Sequence, residues 1–410
     1  MRPYLSRDRK GADTNEVRET TMMNRQAFRL AKPVLITTAV ATAIWVSAGD
    51  LNPPAGPIAP TQRTPIGAST TPGDNDGTPS LYKITQPGSY YLTGNITGVS
   101  AKYGIEIAAS GVTLDLMGFD LLGVPGSLDG IRVTVAPTTD IAVFNGSVRN
   151  WGGMGVFLSN TNNIRVADLR VSGNGSDGIN TGTNAVITNC SAYDNTGGGI
   201  HAGSSCTITN CSAYGNRSGQ GFTGTGVFVN CTALANTGNG FSIGSESLIT
   251  NCSATSNTGD GIYAASGSTI TNCSAGINFG DGIESSNGST ITNCSVHGNR
   301  GDGIRVVGEC TVHGNTCRAN GLAGDSAGIH VIGNLNRIEG NHCTYNDRGI
   351  DVDDTLNFIT RNTCRSNTTN WDVVAGNVCL VVAATTSAAI VGDSGGVAPG
   401  STDPNANFTY

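Results

Sequence analysis

The chain has 410 residues, of which 58 are glycine, 13% are charged and 6% are aromatic, a composition that disfavours a helix-rich globular domain. Its net charge is −7, but 8 of the 23 basic and 4 of the 30 acidic residues lie in the first 48 positions, so 15 basic side chains face 26 acidic ones from Gly49 onward. That balance of −11 argues against nucleic acid or anionic lipid as a partner.

Residues 1–48 read as a leader and signal peptide: Arg25, Arg29 and Lys32 precede the apolar run VLITTAVATAIWV, and Val46, Ser47 and Ala48 form a small-residue cleavage site. The 13-residue run is too short to cross a bilayer, so no membrane span is expected in the mature chain. Met22 or Met23, directly before this pattern, is an alternative start. Residues 49–80, rich in Pro, Thr, Gly and Asp, carry too little apolar content to pack and read as a disordered linker.

From there the chain repeats itself. Anchored on the apolar residue opening each TNC-like run, the repeats begin at Ile187, Ile208, Phe228, Ile249, Ile270, Ile291, Val312, Ile338 and Ile359, in steps of 21, 20, 21, 21, 21, 21, 26 and 21 residues. Eight residues past each anchor stands an asparagine, from Asn195 through Asn257 to Asn367. A glycine-flanked apolar residue recurs as well, from Ile200 through Ile262 to Ile350. Short β runs separated by Gly, Asn, Asp and Ser turns leave no window for a helix.

One such unit cannot fold alone, because four or five buried side chains at roughly 1.5–3 kcal/mol each fall short of an ordering cost near 1.5 kcal/mol per residue. Stacking must supply the rest. If each repeat is one coil, its backbone pairs with coils about 4.8 Å above and below, and equivalent asparagines bond amide to amide along the stack. The expected fold is a parallel β-helix.

The N-x-x-x-x-G-I repeats, with ITQPGSYYLTGNI and GVTLDLMGFDL ahead of them, resemble the right-handed parallel β-helix proteins of the pectate-lyase-like superfamily. The resemblance spans residues 81–382 and implies an all-β, single-stranded right-handed parallel β-helix (solenoid). The tail, 383–410, lacks the repeat and is expected to cap the last coil. Lyases, hydrolases, epimerases, tailspikes and adhesins all share this fold, so fold alone leaves the activity open.

The cysteines follow the same register. Cys190, Cys211, Cys231, Cys252, Cys273 and Cys294 lie three past their anchors, where later repeats carry Asn315, Asn341 and Asn362; those repeats place Cys317, Cys343 and Cys364 at plus five, in a column of alanines. Both columns read as interior positions at a bend, with cysteine serving as a small buried hydrophobe. Neighbouring coils are close enough for disulfides, but in-register Cβ vectors run side by side, so mostly free thiols are expected. Cys310, His313 and Cys317 imitate a zinc spacing, yet His313 should point away from both thiols.

Catalytic motifs are sparse. GDSGG at Gly392–Gly396 has no accompanying triad segments, and only Lys83 and Lys102 supply lysine after the leader. The resemblance would imply a Lys or Arg base beside calcium carboxylates for a lyase, clustered Asp with His for a galacturonase, and Asp-Pro-His for an epimerase. None of these kits is evident.

Two columns stand out. Tyr263, Glu284, Arg305, His330 and Asp351 follow the glycine-flanked apolar residue and should face outward together, either as a stabilising charged stripe or as a sugar-binding face with Tyr263 stacking on a pyranose ring. The five extra residues before Ile329 should bulge beside them as a wall. Asn239, Asp260, Asp281 and Asp302 form the second column. Like charges one coil apart repel, and either calcium or outward solvation is the remedy; the Asp351, Asp353, Asp354 cluster poses the same choice. The expected protein is secreted, periplasmic or on the cell surface, and binds extracellular polysaccharide without catalysis or a required cofactor, Ca2+ being optional. Its alternatives are a lyase or epimerase using Tyr263, Arg305 and His330, and a structural or adhesive protein. Oligomeric state is left open.

Overall fold

A computed structural model describes residues 63–321, 326–383 and 407–409; the expected leader and most of the tail lie outside these residues. The described chain is all strand and turn, wound as a right-handed parallel solenoid of about 14 turns. No helix among the described residues is long and apolar enough to cross a membrane.

Each coil contributes a strand to three stacks. The first runs through Ile179–Thr188, Ile200–His201, Phe222–Gly224, Phe241–Ile243, Ile262–Ala264, Ile283–Ser285, Ile304–Val306, Ala327–Val331 and Arg348–Val352. The second carries the anchors, pairing Ile249 with Ile270 and Ile291 in register. The third carries the plus-five column, pairing Ala254 with Ala275 and Val296.

The bend between the second and third stacks explains the TNC motif. Asn189, Asn210, Asn230, Asn251, Asn272 and Asn293 all adopt φ of 54–55°. Asparagine tolerates this left-handed conformation far better than a β-branched residue, so the chain can turn there without glycine. The following cysteine then faces inward. Every cysteine from Cys190 to Cys364 is buried, Cys379 is half-buried, and all are free thiols. From Cys190 to Cys310 their S–H groups are satisfied by backbone carbonyls, as in Cys252 Sγ to Thr250 O at 3.4 Å. His313 is exposed while Cys310 and Cys317 are buried, so the three do not converge.

The asparagine ladder is continuous. From Asn174 to Asn367 each Nδ2 donates to the next coil's Oδ1 at 2.8–3.1 Å, and the same oxygen accepts the backbone N–H. A second ladder joins Asn315, Asn341 and Asn362, and Cys294 N donates into its top at 2.8 Å. Buried amides are tolerated here because they are paired.

Of the expected linker, 49–80, the part from Thr64 onward contains paired strands, and 49–62 lie outside the described residues. Thr64–Pro65 pair in parallel with Tyr90–Tyr91, and Pro72–Asp74 pair antiparallel with the strand Ser80–Ile84. Ile66 is buried, and Lys83 bridges Asp74 and Asp76 at 2.5 and 3.0 Å. One apolar anchor and two ion pairs order a segment whose composition alone looks unstructured. At the other end Asn407–Thr409 pair with Val381–Ala383 and with Thr363–Cys364.

Candidate functional site

The outward column of the first stack runs in register through His201, Thr223, Ser242, Tyr263, Glu284, Arg305, His330, Asp351 and Asp372. The five residues expected to share this face therefore occupy one column in register. Ile304 pairs with Ile329 despite the longer step, so the extra residues do not disturb the register. The wall expected from them falls at 322–325, outside the described residues.

Side-chain size divides the column into a groove and a charged end. Thr223 and Ser242 are short, and Gly203, Gly224 and Gly244 lie beside them, so the surface sinks between His201 and Tyr263 into a groove of about 440 Å³. Beyond Tyr263 the face is charged. Arg305 Nη1 lies 2.5 Å from Glu284 Oε1. The His330 imidazolium donates from both ring nitrogens to carboxylates: Nδ1 is 2.8 Å from Asp302 Oδ2, and Nε2 is 3.1 Å from Asp353 Oδ2, with Asp351 Oδ2 at 3.8 Å. Burial works against the imidazolium, but Asp302, Asp353 and Asp351 outweigh it and raise the His330 pKa to about 9.

Asp351 departs from the outward stripe expected of it, being only 3% exposed. Arg348, on the same strand, folds over it with Nη1 2.7 Å from Oδ2 and also reaches Asp372 at 3.3 Å. Burial raises the Asp351 pKa, against the pull of Arg348 and His330.

The Asn239, Asp260, Asp281, Asp302 column is a hydrogen-bonded ladder rather than a set of solvated turns. Each Oδ1 accepts the backbone N–H of the next coil, at 2.8, 2.8 and 2.7 Å along the column and 2.6 Å from Ala327 to Asp302. Asp177, in the Asp-Gly-Ile turn of an earlier coil, does the same for Gly198 at 2.7 Å. The second oxygens then decide the electrostatics. Asp302 turns its own to His330, while oxygens of Asp260, Asp281 and Glu284 lie within 4.8 Å of one another. Burial, then the charge of Asp302, and the nearby Asp260 and Glu284 push the Asp281 pKa up to about 7. A proton on Asp281 relieves this repulsion as pH falls through about 7. A cation there would be held by Asp260, Asp281 and Glu284; His330, Asp351 and Asp353 form a second group of the same dimensions.

Residues 129–275 and 266–391 match the family described as the right handed beta helix region. The chain belongs to this family. No curated protein matches its sequence. Solved β-helices resemble it in fold. The mannuronan C-5 epimerase AlgE6 A-module of Azotobacter vinelandii is 16% identical over 71% of this chain and 89% of its own, with a TM-score of 0.47. Tailspike protein 3 of bacteriophage CBA120 is 13% identical over 70% and 54%, with a TM-score of 0.49. The catalytic domain of a GH87 alpha-1,3-glucanase in complex with nigerose is 14% identical over 74% and 63%, with a TM-score of 0.38.

Within this β-helix, sequence reasoning placed the stripe and missed its supports. Arg348 acts through contacts that no spacing announces, whereas Asp372 carried a readable signal, standing 21 residues past Asp351, and Asp177 carried another, preceding Gly178 and Ile179 as Asp260 precedes Gly261 and Ile262.

Proposed function

We propose that the outward face of the first stack binds an extracellular polysaccharide without changing it chemically. The observation that carries this reading is the groove between His201 and Tyr263, floored by hydroxyls and glycines and bounded by an aromatic ring. Such a surface offers hydrogen bonds to sugar hydroxyls and a face for pyranose stacking. An extracellular setting goes with this reading and rests on the leader at residues 1–48.

The lyase or epimerase reading is less well supported. Arg305 is engaged by Glu284, and an imidazole with a pKa of about 9 is already protonated at neutral pH and is a poor general base. Three coils separate Tyr263 from His330, about 14 Å at the usual strand spacing, too far for both to act on one sugar carbon.

A glycan array followed by titration of the hits tests the proposal. Tyr263→Ala should weaken binding by about 1–3 kcal/mol with melting nearly unchanged. Unaltered binding to a glycan that the native protein holds would remove the groove from consideration. Unsaturated products or altered uronate epimers appearing on a hit would replace binding with catalysis.

A further inference from the structure

The groove has a charge character that its hydroxyl floor does not reveal. Neither Lys nor Arg lines it. Carboxylates stand at both ends: Asp177 lies 4.0 Å from His201 Nδ1, and past Tyr263 come Glu284 and Asp260, on the next coil and the same one. The cations further along are already engaged, Arg305 by Glu284, His330 by Asp302 and Asp353, and Arg348 by Asp351 and Asp372. Among the described residues no basic side chain lies within ion-pair distance of Asp260 or Asp281. A polyuronate laid on this face would bring its own carboxylates against Asp177 and Asp260, with neither Lys nor Arg in the groove to receive them, and the chain as a whole, at −11 after the leader, would repel it further.

We infer that the groove takes a polysaccharide bearing protonated amino groups, an amino-sugar polymer, with Tyr263 against a ring face and the carboxylates at either end receiving ammonium groups. This rests on the proposed function and narrows it. The two ends are four coils apart, from the Ile179 strand to the Ile262 strand, about 19 Å at the usual spacing, so the polymer must offer amines on separate residues rather than at one terminus. Ammonium groups donate up to three hydrogen bonds and pair with carboxylates as point charges, which suits acids whose remaining oxygens lie in no fixed fork.

The test compares three soluble oligosaccharides of equal length: β-1,4-linked glucosamine, its N-acetylated counterpart, and a uronate oligomer, titrated in mildly acidic buffer at low and high salt. The glucosamine oligomer should bind tightest and lose affinity with salt. An Asp177→Asn, Asp260→Asn double variant should bind it about tenfold or more weakly while leaving the N-acetylated oligomer unaffected. These variants keep the backbone ladder, because Asn239 already accepts the N–H of Asp260 in that column. Equal binding of the amino and N-acetylated forms, preference for the uronate, an unchanged double variant, or no binding of any of the three each overturns the amine inference. The polysaccharide reading is judged separately, by the array and by Tyr263→Ala.

Discussion

At the scale of single residues, buried amides and carboxyls carry the sharpest consequences. Asn257 donates from Nδ2 to Asn278 Oδ1 and Ala233 O, and accepts from the backbone and side chain of Asn236. Asn257→Ala should destabilise by about 2–5 kcal/mol in urea unfolding, because it strands donors and an acceptor that no water can reach. Asp281 makes a pH prediction. Its native pKa of about 7 lies above the reference 3.8, so between these values the native state keeps a proton that the unfolded chain has released, and stability falls as pH rises through that window. His330 acts at higher pH: its contribution is complete below 6.5 and is lost as pH rises through about 9. Asp281→Asn should remove the first decline, stabilising the protein at about pH 8 by an amount on the order of 1–3 kcal/mol and changing little at about pH 4. Calcium held by Asp260, Asp281 and Glu284 would show instead as melting that a chelator lowers and that Asp281→Asn makes insensitive. The ladder asparagines were legible because they recur eight past an apolar anchor. Asn174 obeys the same rule from Val166 but escaped notice, since its repeat lacks the TNC spelling. The burial of Asp351 and the turn of Asp302 toward His330 were not legible, because both depend on which way a side chain leans between coils.

At the scale of the coil, the sharp bends set what each repeat tolerates. The residue before each ladder asparagine is left-handed, and Gly215 and Gly298 meet that demand without strain at φ of 63° and 66°. Ile277 occupies the same position at φ 59°, with its side chain 56% exposed. A β-branched residue there costs about 1–2 kcal/mol and recovers little by burial. Ile277→Asn should therefore raise stability by about 1 kcal/mol, read as an increase in melting temperature; no increase would mean that the bend relaxes around isoleucine. The turn chemistry of the repeats was plain from Asn, Gly and Asp. The ordered stretch from Thr64 to Asp74 was not, because Ile66 and Lys83 fix it through partners in the first coils rather than through its own composition.

At the scale of the molecule, stability is approximately a sum of coil and interface contributions. The interior thiols share in it as packing groups. Alkylation in denaturant without prior reduction should label most of the 12 cysteines, as counted by mass; a need for reduction would mean that the stack is stapled. The architecture was the most legible property of the sequence, since a fixed period declares it whatever the side chains do. The face was legible as a column but not as a groove, since its depth comes from Thr223 and Ser242 being short where Tyr263 is long.

The amide ladder has one more consequence. It spans steps of 20, 21 and 26 residues with the same contact distances, so it counts coils and ignores how much chain lies between them. Every link donates in one direction: each coil's amide N–H reaches the oxygen of the next, while its own oxygen accepts from the coil before. The stack therefore behaves as a ruler with interchangeable graduations. Whole coils can be added or deleted without altering the joints, and each one lengthens or shortens the outward face by a single step, so the length of this surface is a quantity that the chain can vary in units.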